Sequence, residues 1–158
     1  MRKRPARLGN RPRSHLMQSV FGMHDKRKYK VSCYALTPSD QSAWRRKIED
    51  EVESFKDVSA LSNADVARLI HHDGVHVLIN LNGYTKGARN EIFALRPAAV
   101  QVLYMGFPGT MGADFIDYLV TAAAVSPHRF FAPPSPEAAA RHRHTIGLSH
   151  HPLTPSGC

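Results

Sequence analysis

Cysteine is scarce in this sequence: Cys33 and Cys158 are the only two among 158 residues. Two thiols cannot build a disulfide framework or a four-ligand structural zinc site, so a disulfide-stapled secreted domain is excluded and a reducing, intracellular setting is expected. Long apolar runs are missing as well, and no uninterrupted stretch approaches the roughly 18 residues that a membrane-spanning helix needs. Met1 to Arg13 is basic with no apolar block behind it, so no secretory leader is expected there. Acidic residues are outnumbered, 13 Asp and Glu against 21 Lys and Arg, which leaves a formal charge of +8 with neutral histidines. The excess gathers at Arg2, Lys3, Arg4, Arg7, Arg11 and Arg13 and at Lys26-Arg27-Lys28, whereas Asp57 to Tyr118 carries sparse, mixed charge. A nucleic-acid surface would place its cations along one face, with aromatics to stack on bases. The distribution is read first as solvated ends, with a polyanion-binding surface as the alternative.

What is present has globular proportions, 42% apolar and 22% charged residues. A single domain of this length can bury roughly 68–70% of its unfolded surface. Tyr29 to Leu36 alternates and is rich in strand formers; Thr37-Pro38-Ser39-Asp40 then reads as a turn with Ser39 as helix cap. Trp44, Ile48, Val52 and Phe55 recur at the helical period. Ser62 and Asp65 resemble a capping box ahead of the stripe Val66, Leu69 and Ile70, which Gly74 ends. The continuous apolar run Val75 to Leu81 predicts a strand buried on both faces. A short helix over Asn90 to Leu95, a strand over Ala98 to Met105 and another near 116–121 complete the alternation. The fold class is therefore α/β, a doubly wound, mainly parallel sheet. From Ala132 the chain turns Pro-, Ala-, His- and Ser-rich, and disorder is expected.

In open α/β sheets ligands bind beyond the carboxyl ends of the strands. Two successive predicted strands end in glycine-bearing loops, Asn82-Gly83-Tyr84-Thr85-Lys86-Gly87 and Gly106-Phe107-Pro108-Gly109-Thr110-Met111-Gly112. Neither is a phosphate fingerprint: the second spaces its glycines G-x-x-G-x-x-G, and Lys86-Gly87 lacks the order of a P-loop. They read either as tight turns or as ligand-lining segments, with Asn82, Tyr84, Lys86, Gly106, Phe107, Pro108, Gly109 and Thr110 as binding candidates. His71-His72-Asp73-Gly74-Val75-His76 gathers three imidazoles and a carboxylate at a helix-to-strand junction. No metal site is assigned, because further ligands at suitable spacing are lacking. The histidines are either hydrogen-bonded structural groups or a base or sugar contact.

Ser14-His15-Leu16-Met17-Gln18-Ser19, Gly22-Met23-His24, Cys33-Tyr34-Ala35-Leu36, His71-His72-Asp73-Gly74 and Asn82 to Glu91 resemble the catalytic region of protein O-linked N-acetylglucosamine (O-GlcNAc) transferases. Phe93-Ala94-Leu95-Arg96-Pro97, Gly106-Phe107-Pro108-Gly109-Thr110 and Asp117-Tyr118 continue the likeness in order, over about Gly9 to Phe131. The resemblance implies a GT-B glycosyltransferase of two Rossmann-like lobes. It implies transfer of N-acetylglucosamine from UDP-GlcNAc to Ser or Thr hydroxyls of nuclear and cytoplasmic proteins, with inversion and without a metal. UDP-GlcNAc is then a substrate, and no cofactor is expected; nor is a nucleic-acid or membrane partner. Tetratricopeptide repeats precede this lobe in the family, and a second lobe after it holds most uridine and pyrophosphate contacts. His71 matches a cleft histidine proposed as the base, and the Gly106 to Gly112 loop lies on the cleft side.

The sequence departs from the family pattern at several positions. Arg11 stands in Gly9-Asn10-Arg11-Pro12 where the family has histidine, Arg68 where it has aspartate, with Asp65 one turn earlier, and Ala122 where aspartate is expected. The chain opens almost at Gly9-Asn10, so the family's first strand is expected to be absent. The organisation read from this is a basic extension over 1–13, a partial N-terminal catalytic lobe over 14–131, and a disordered tail over 132–158 of the composition an out-of-frame translation would leave. Such a piece is expected to be inactive alone. The rival readings are a non-catalytic basic α/β module for RNA or another polyanion, and a folded remnant without function.

Overall fold

A computed structural model describes Met17 and residues 20–104, 111–122 and 144–148. The order of elements is β1 (Ser32–Ala35), α1 (Ala43–Glu51), β2 (Ser54–Asp57), α2 (Asn63–His72), β3 (Val77–Asn80), α3 (Glu91–Ala94), β4 (Val100–Tyr104), β5 (Tyr118–Ala122) and β6 (His144–Leu148). All four strand pairs are parallel, as the alternation predicts. The strands form two ladders, β1-β2 and β3-β4-β5-β6.

The helix that the Trp44, Ile48, Val52, Phe55 spacing extends to residue 55 stops at Glu51, and β2 takes up the chain. Val52 is already extended, and Glu53 and Ser54 donate their N–H groups to the Val31 carbonyl at 3.1 and 3.3 Å. A non-local ladder thus overrides the local period. The cap is also displaced: Ser42, not Ser39, accepts the Arg45 N–H at 3.2 Å, while Ser39 Oγ accepts the Gln41 N–H within the preceding turn. Ser62 caps α2 as expected, its Oγ accepting the Asp65 N–H at 3.1 Å and donating to the Asp65 carboxylate at 2.6 Å.

The core lies where α2 and α3 pack on the four-stranded sheet. Val66 and Ile70 of α2 meet Leu78, Phe93, Leu103 and Ile116, all buried. At the end of α2, Gly74 takes φ +65°, and its N–H and that of Val75 return to the carbonyls of His71 and Ile70. Across the sheet, Asp117 accepts the Gln101 N–H at 2.8 Å and pairs with the Arg96 guanidinium at 3.1 Å.

The tail departs from expectation in one place. His144–Leu148 pairs parallel to β5, because the backbone groups of an edge strand accept a partner without demanding a continuous apolar run. The rest of residues 132–158, and the basic extension 1–13, lie outside the described residues.

Candidate functional site

Because β3 and β4 are adjacent and parallel, the segments that follow them share one edge of the sheet. Asn80, the last residue of β3 and 1% exposed, organises that edge. Its Oδ1 accepts the N–H groups of Asn82 at 2.8 Å and Gly83 at 2.9 Å. Its Nδ2 donates to Asn90 Oδ1 at 3.1 Å and lies 3.5 Å from Met111 Sδ. Asn90 Nδ2 returns to the Gly83 carbonyl at 2.9 Å, and Gly83 takes the left-handed φ of +52° that this turn requires. Tyr84, half exposed, donates its hydroxyl to the Met111 carbonyl at 2.9 Å, joining the first glycine loop to the end of the second. Thr85 folds back on the Asn82 carbonyl at 2.7 Å. Lys86 is exposed on the same loop.

Asn82, Tyr84 and Lys86 are therefore brought to one edge. Gly106, Phe107, Pro108, Gly109 and Thr110 lie outside the described residues, although Met111 directly after them reaches this edge. His71 does not join the group. It occupies the last turn of α2, ahead of β3, and lines a shallow groove with Arg68, Leu95, Arg96 and Pro97 at the opposite edge. Asp65 holds Arg68 there, and Asp117 holds Arg96.

Two polar arrangements were not anticipated. The Asn80–Asn90 lattice was hidden inside an apolar run, its signal being one amide at the end of that run just before an Asn-Gly pair. The other is a cluster in which Asp73 accepts the Tyr34 hydroxyl at 2.6 Å and the Lys56 ammonium at 2.6 and 2.7 Å. Lys56, and after it Tyr34, hold the Asp73 carboxyl below its ordinary range, while burial and then Asp73 push the Tyr34 hydroxyl up. The cluster pins the β1-β2 ladder to the end of α2. Burial raises the Cys33 thiol to about 11, so it is protonated at neutral pH. Among the described residues no His, Cys, Asp and Glu side chains group so as to hold a metal ion, and no helix is long and apolar enough to cross a membrane.

A parallel α/β sheet whose strand ends carry glycine turns defines a lobe of the Rossmann-like class. The chain matches the family model described as glycosyl transferase family 41 over residues 5–152, and it belongs to that family. It is 59% identical over 123 residues to a probable UDP-N-acetylglucosamine–peptide N-acetylglucosaminyltransferase, SEC, of Arabidopsis thaliana, covering 78% of this chain and 13% of that protein. The corresponding transferase of Caenorhabditis elegans is 54% identical over 123 residues, covering 77% of this chain and 11% of its own length. The solved structure of a mutant O-GlcNAc transferase of Thermobaculum terrenum aligns with a TM-score of 0.75 at 26% identity, over 91% of this chain and 26% of that one. This chain therefore corresponds to a small part of its relatives, within their catalytic region.

Proposed function

We propose that this chain forms the neutral, ligand-facing edge of an O-GlcNAc transferase catalytic region, acting on UDP-GlcNAc and Ser or Thr hydroxyls of intracellular proteins. The observation that carries this is the Asn80 lattice at the carboxyl ends of β3 and β4. It fixes the loop holding Asn82, Tyr84 and Lys86, together with the approach to Gly106–Thr110, on a rigid support. The same lattice limits what the edge can bind. The N–H groups of Asn82 and Gly83, the two donors a phosphate would seek in a glycine turn, already serve Asn80 Oδ1. The edge suits sugar hydroxyls or an acceptor backbone better than a diphosphate.

Inverting transfer needs an acceptor hydroxyl in line with the anomeric carbon and stabilisation of the charge growing on the leaving diphosphate. With those backbone donors engaged, that stabilisation falls to the rest of the catalytic region, and neither metal nor cofactor enters this reading. The base role that the resemblance gives His71 requires the hydroxyl to be held at the opposite edge, beside Arg68 and Arg96.

The test uses labelled UDP-GlcNAc and a Ser/Thr-rich peptide. The chain alone should transfer no label, whereas the Arabidopsis relative carrying these residues in place of its own should transfer it. In that chimera Asn80→Ala should lower turnover about tenfold or more, since loss of positioning alone can cost 10²-fold. Retained transfer in a His71→Ala chimera would remove the base role. Label in the peptide with the chain alone, or an Asn80→Ala chimera of full activity, would overturn the proposal.

A further inference from the structure

Only two dipeptides in this chain place glycine after an asparagine or aspartate, Asn82-Gly83 and Asp73-Gly74. With no side chain to shield it, the glycine nitrogen of such a pair can attack the preceding side-chain carbonyl. At Asn82-Gly83 the Gly83 nitrogen gives its proton to hydroxide and bonds to Asn82 Cγ. The bond from Cγ to the side-chain nitrogen breaks, that nitrogen takes up protons, and ammonia leaves a cyclic imide. Water then opens the imide at either carbonyl, which yields aspartate or an isoaspartate whose backbone is longer by a methylene.

The fold engages the attacking nitrogen in both pairs. The Gly74 N–H donates to the His71 carbonyl at 3.0 Å, and the Gly83 N–H to Asn80 Oδ1 at 2.9 Å. Asp73 has a second protection, because Lys56 and then Tyr34 keep its carboxyl ionised, and a carboxylate resists attack. The neutral amide of Asn82 has no such help. Its protection lies in how the Asn82-Gly83 peptide plane is held. On one side of that plane Asn80 takes the Gly83 N–H; on the other the Asn82 carbonyl accepts the Thr85 N–H at 3.1 Å and the Thr85 hydroxyl at 2.7 Å. Gly83 is buried, so base reaches its nitrogen only when the turn opens. Swinging that nitrogen onto Asn82 Cγ breaks these bonds and leaves the buried Asn80 oxygen unpaired.

We propose that Asn82-Gly83 is a latent isoaspartate site which Asn80 holds shut, so that the first glycine loop stays chemically intact only while this edge of the sheet stays closed. The change runs one way. The added methylene shifts the spacing between Asn80 and Gly83, and the lattice that excluded the reaction cannot form again. The inference rests on the bonds of the loop itself and not on the transferase reading.

The test incubates the full chain at mildly alkaline pH and follows Asn82 by peptide mapping, with the aspartate and isoaspartate products separated before mass spectrometry. A synthetic peptide of residues 81–89, which lacks Asn80, gives the unguarded rate. Reaction in the folded chain needs local opening, so Asn82 should convert about tenfold or more slowly there than in the peptide. Asn80→Ala should bring the chain close to the peptide rate. Asn80→Asp, whose carboxylate still accepts both N–H groups, should stay near the parent. Asn90→Ala removes the group that orients the Asn80 amide and the bond to the Gly83 carbonyl, and should fall between. Its side chain makes no capping bond to α3, so that helix does not depend on it. Slow amide exchange at Val66, Ile70 and Leu103 identifies the folded variants, and Asp73 should stay unchanged in them. If Asn80→Ala loses that core protection, Asn90→Ala decides: faster conversion than the parent supports the proposal, and the parent rate overturns it. Conversion of the parent at the peptide rate, or a folded Asn80→Ala chain no faster than the parent, would also overturn it.

Discussion

Asn80 and Glu53 show how single polar side chains set this structure. Asn80 satisfies two backbone donors that a sharp turn leaves open, and the pair of amides at 80 and 90 exchanges donors and acceptors around Gly83. Glu53 serves one backbone donor beside the other ladder, accepting the Val31 N–H at 2.7 Å, and also meets the His24 side chain, whose Nε2 lies 3.1 Å away. The Val31 N–H leads the causes that bring this carboxyl from its ordinary 4.5 down to about 2. The unfolded chain takes up that proton near pH 4.5 and the folded chain only near 2, so the contribution is whole above 4.5 and lost as the pH falls toward 2. Urea unfolding of Glu53→Gln should therefore show a flatter decline of stability than the parent between pH 4.5 and 2. Parallel declines in the two proteins would show that the Val31 contact does not control this limb.

Among the elements, α1 depends on a buried cation. Arg45 is 2% exposed, donates to Glu49 at 2.6 Å and to the Thr37 carbonyl at 3.4 Å, lies 3.5 Å from Asp57, and stacks 4.2 Å from the Phe55 ring centroid. Its partner carboxylates are more than a third exposed and regain water when the cation is removed. Arg45→Ala should thus cost about 3 kcal/mol, the low end for breaking a buried pair, and Arg45→Met less, because the thioether keeps the packing on Phe55. A methionine variant as unstable as the alanine one would mean that charge, not packing, dominates. The contrast between α1 and α2 shows what a sequence period can tell. Val66, Leu69 and Ile70 mark α2 correctly, and its Ser62 cap is read three residues from its partner. In α1 the period runs on through Val52 and Phe55, but Val31, some twenty residues away, ends the helix by pairing with Glu53 and Ser54. Local patterns locate elements whose boundaries are also local.

At the level of the whole molecule, β6 closes the edge of β5 by backbone pairing, while the core lies beneath α2 and α3. Deleting residues 144–158 should speed amide exchange in Tyr118–Ala122 and leave exchange at Val66, Ile70 and Leu103 unchanged; loss of core protection would show that β6 is integral to the fold. The sequence alone determined the class of fold, the family and the loop that carries Asn82, Tyr84 and Lys86, because runs of neighbouring residues encode strand burial, turn chemistry and family motifs. Only the tertiary structure decided that Asn80 and Tyr84 tie that loop to Met111 and that His71 lies across the sheet from it. Both depend on which distant segments the sheet brings together, and partners separated by tens of residues leave no period in the chain.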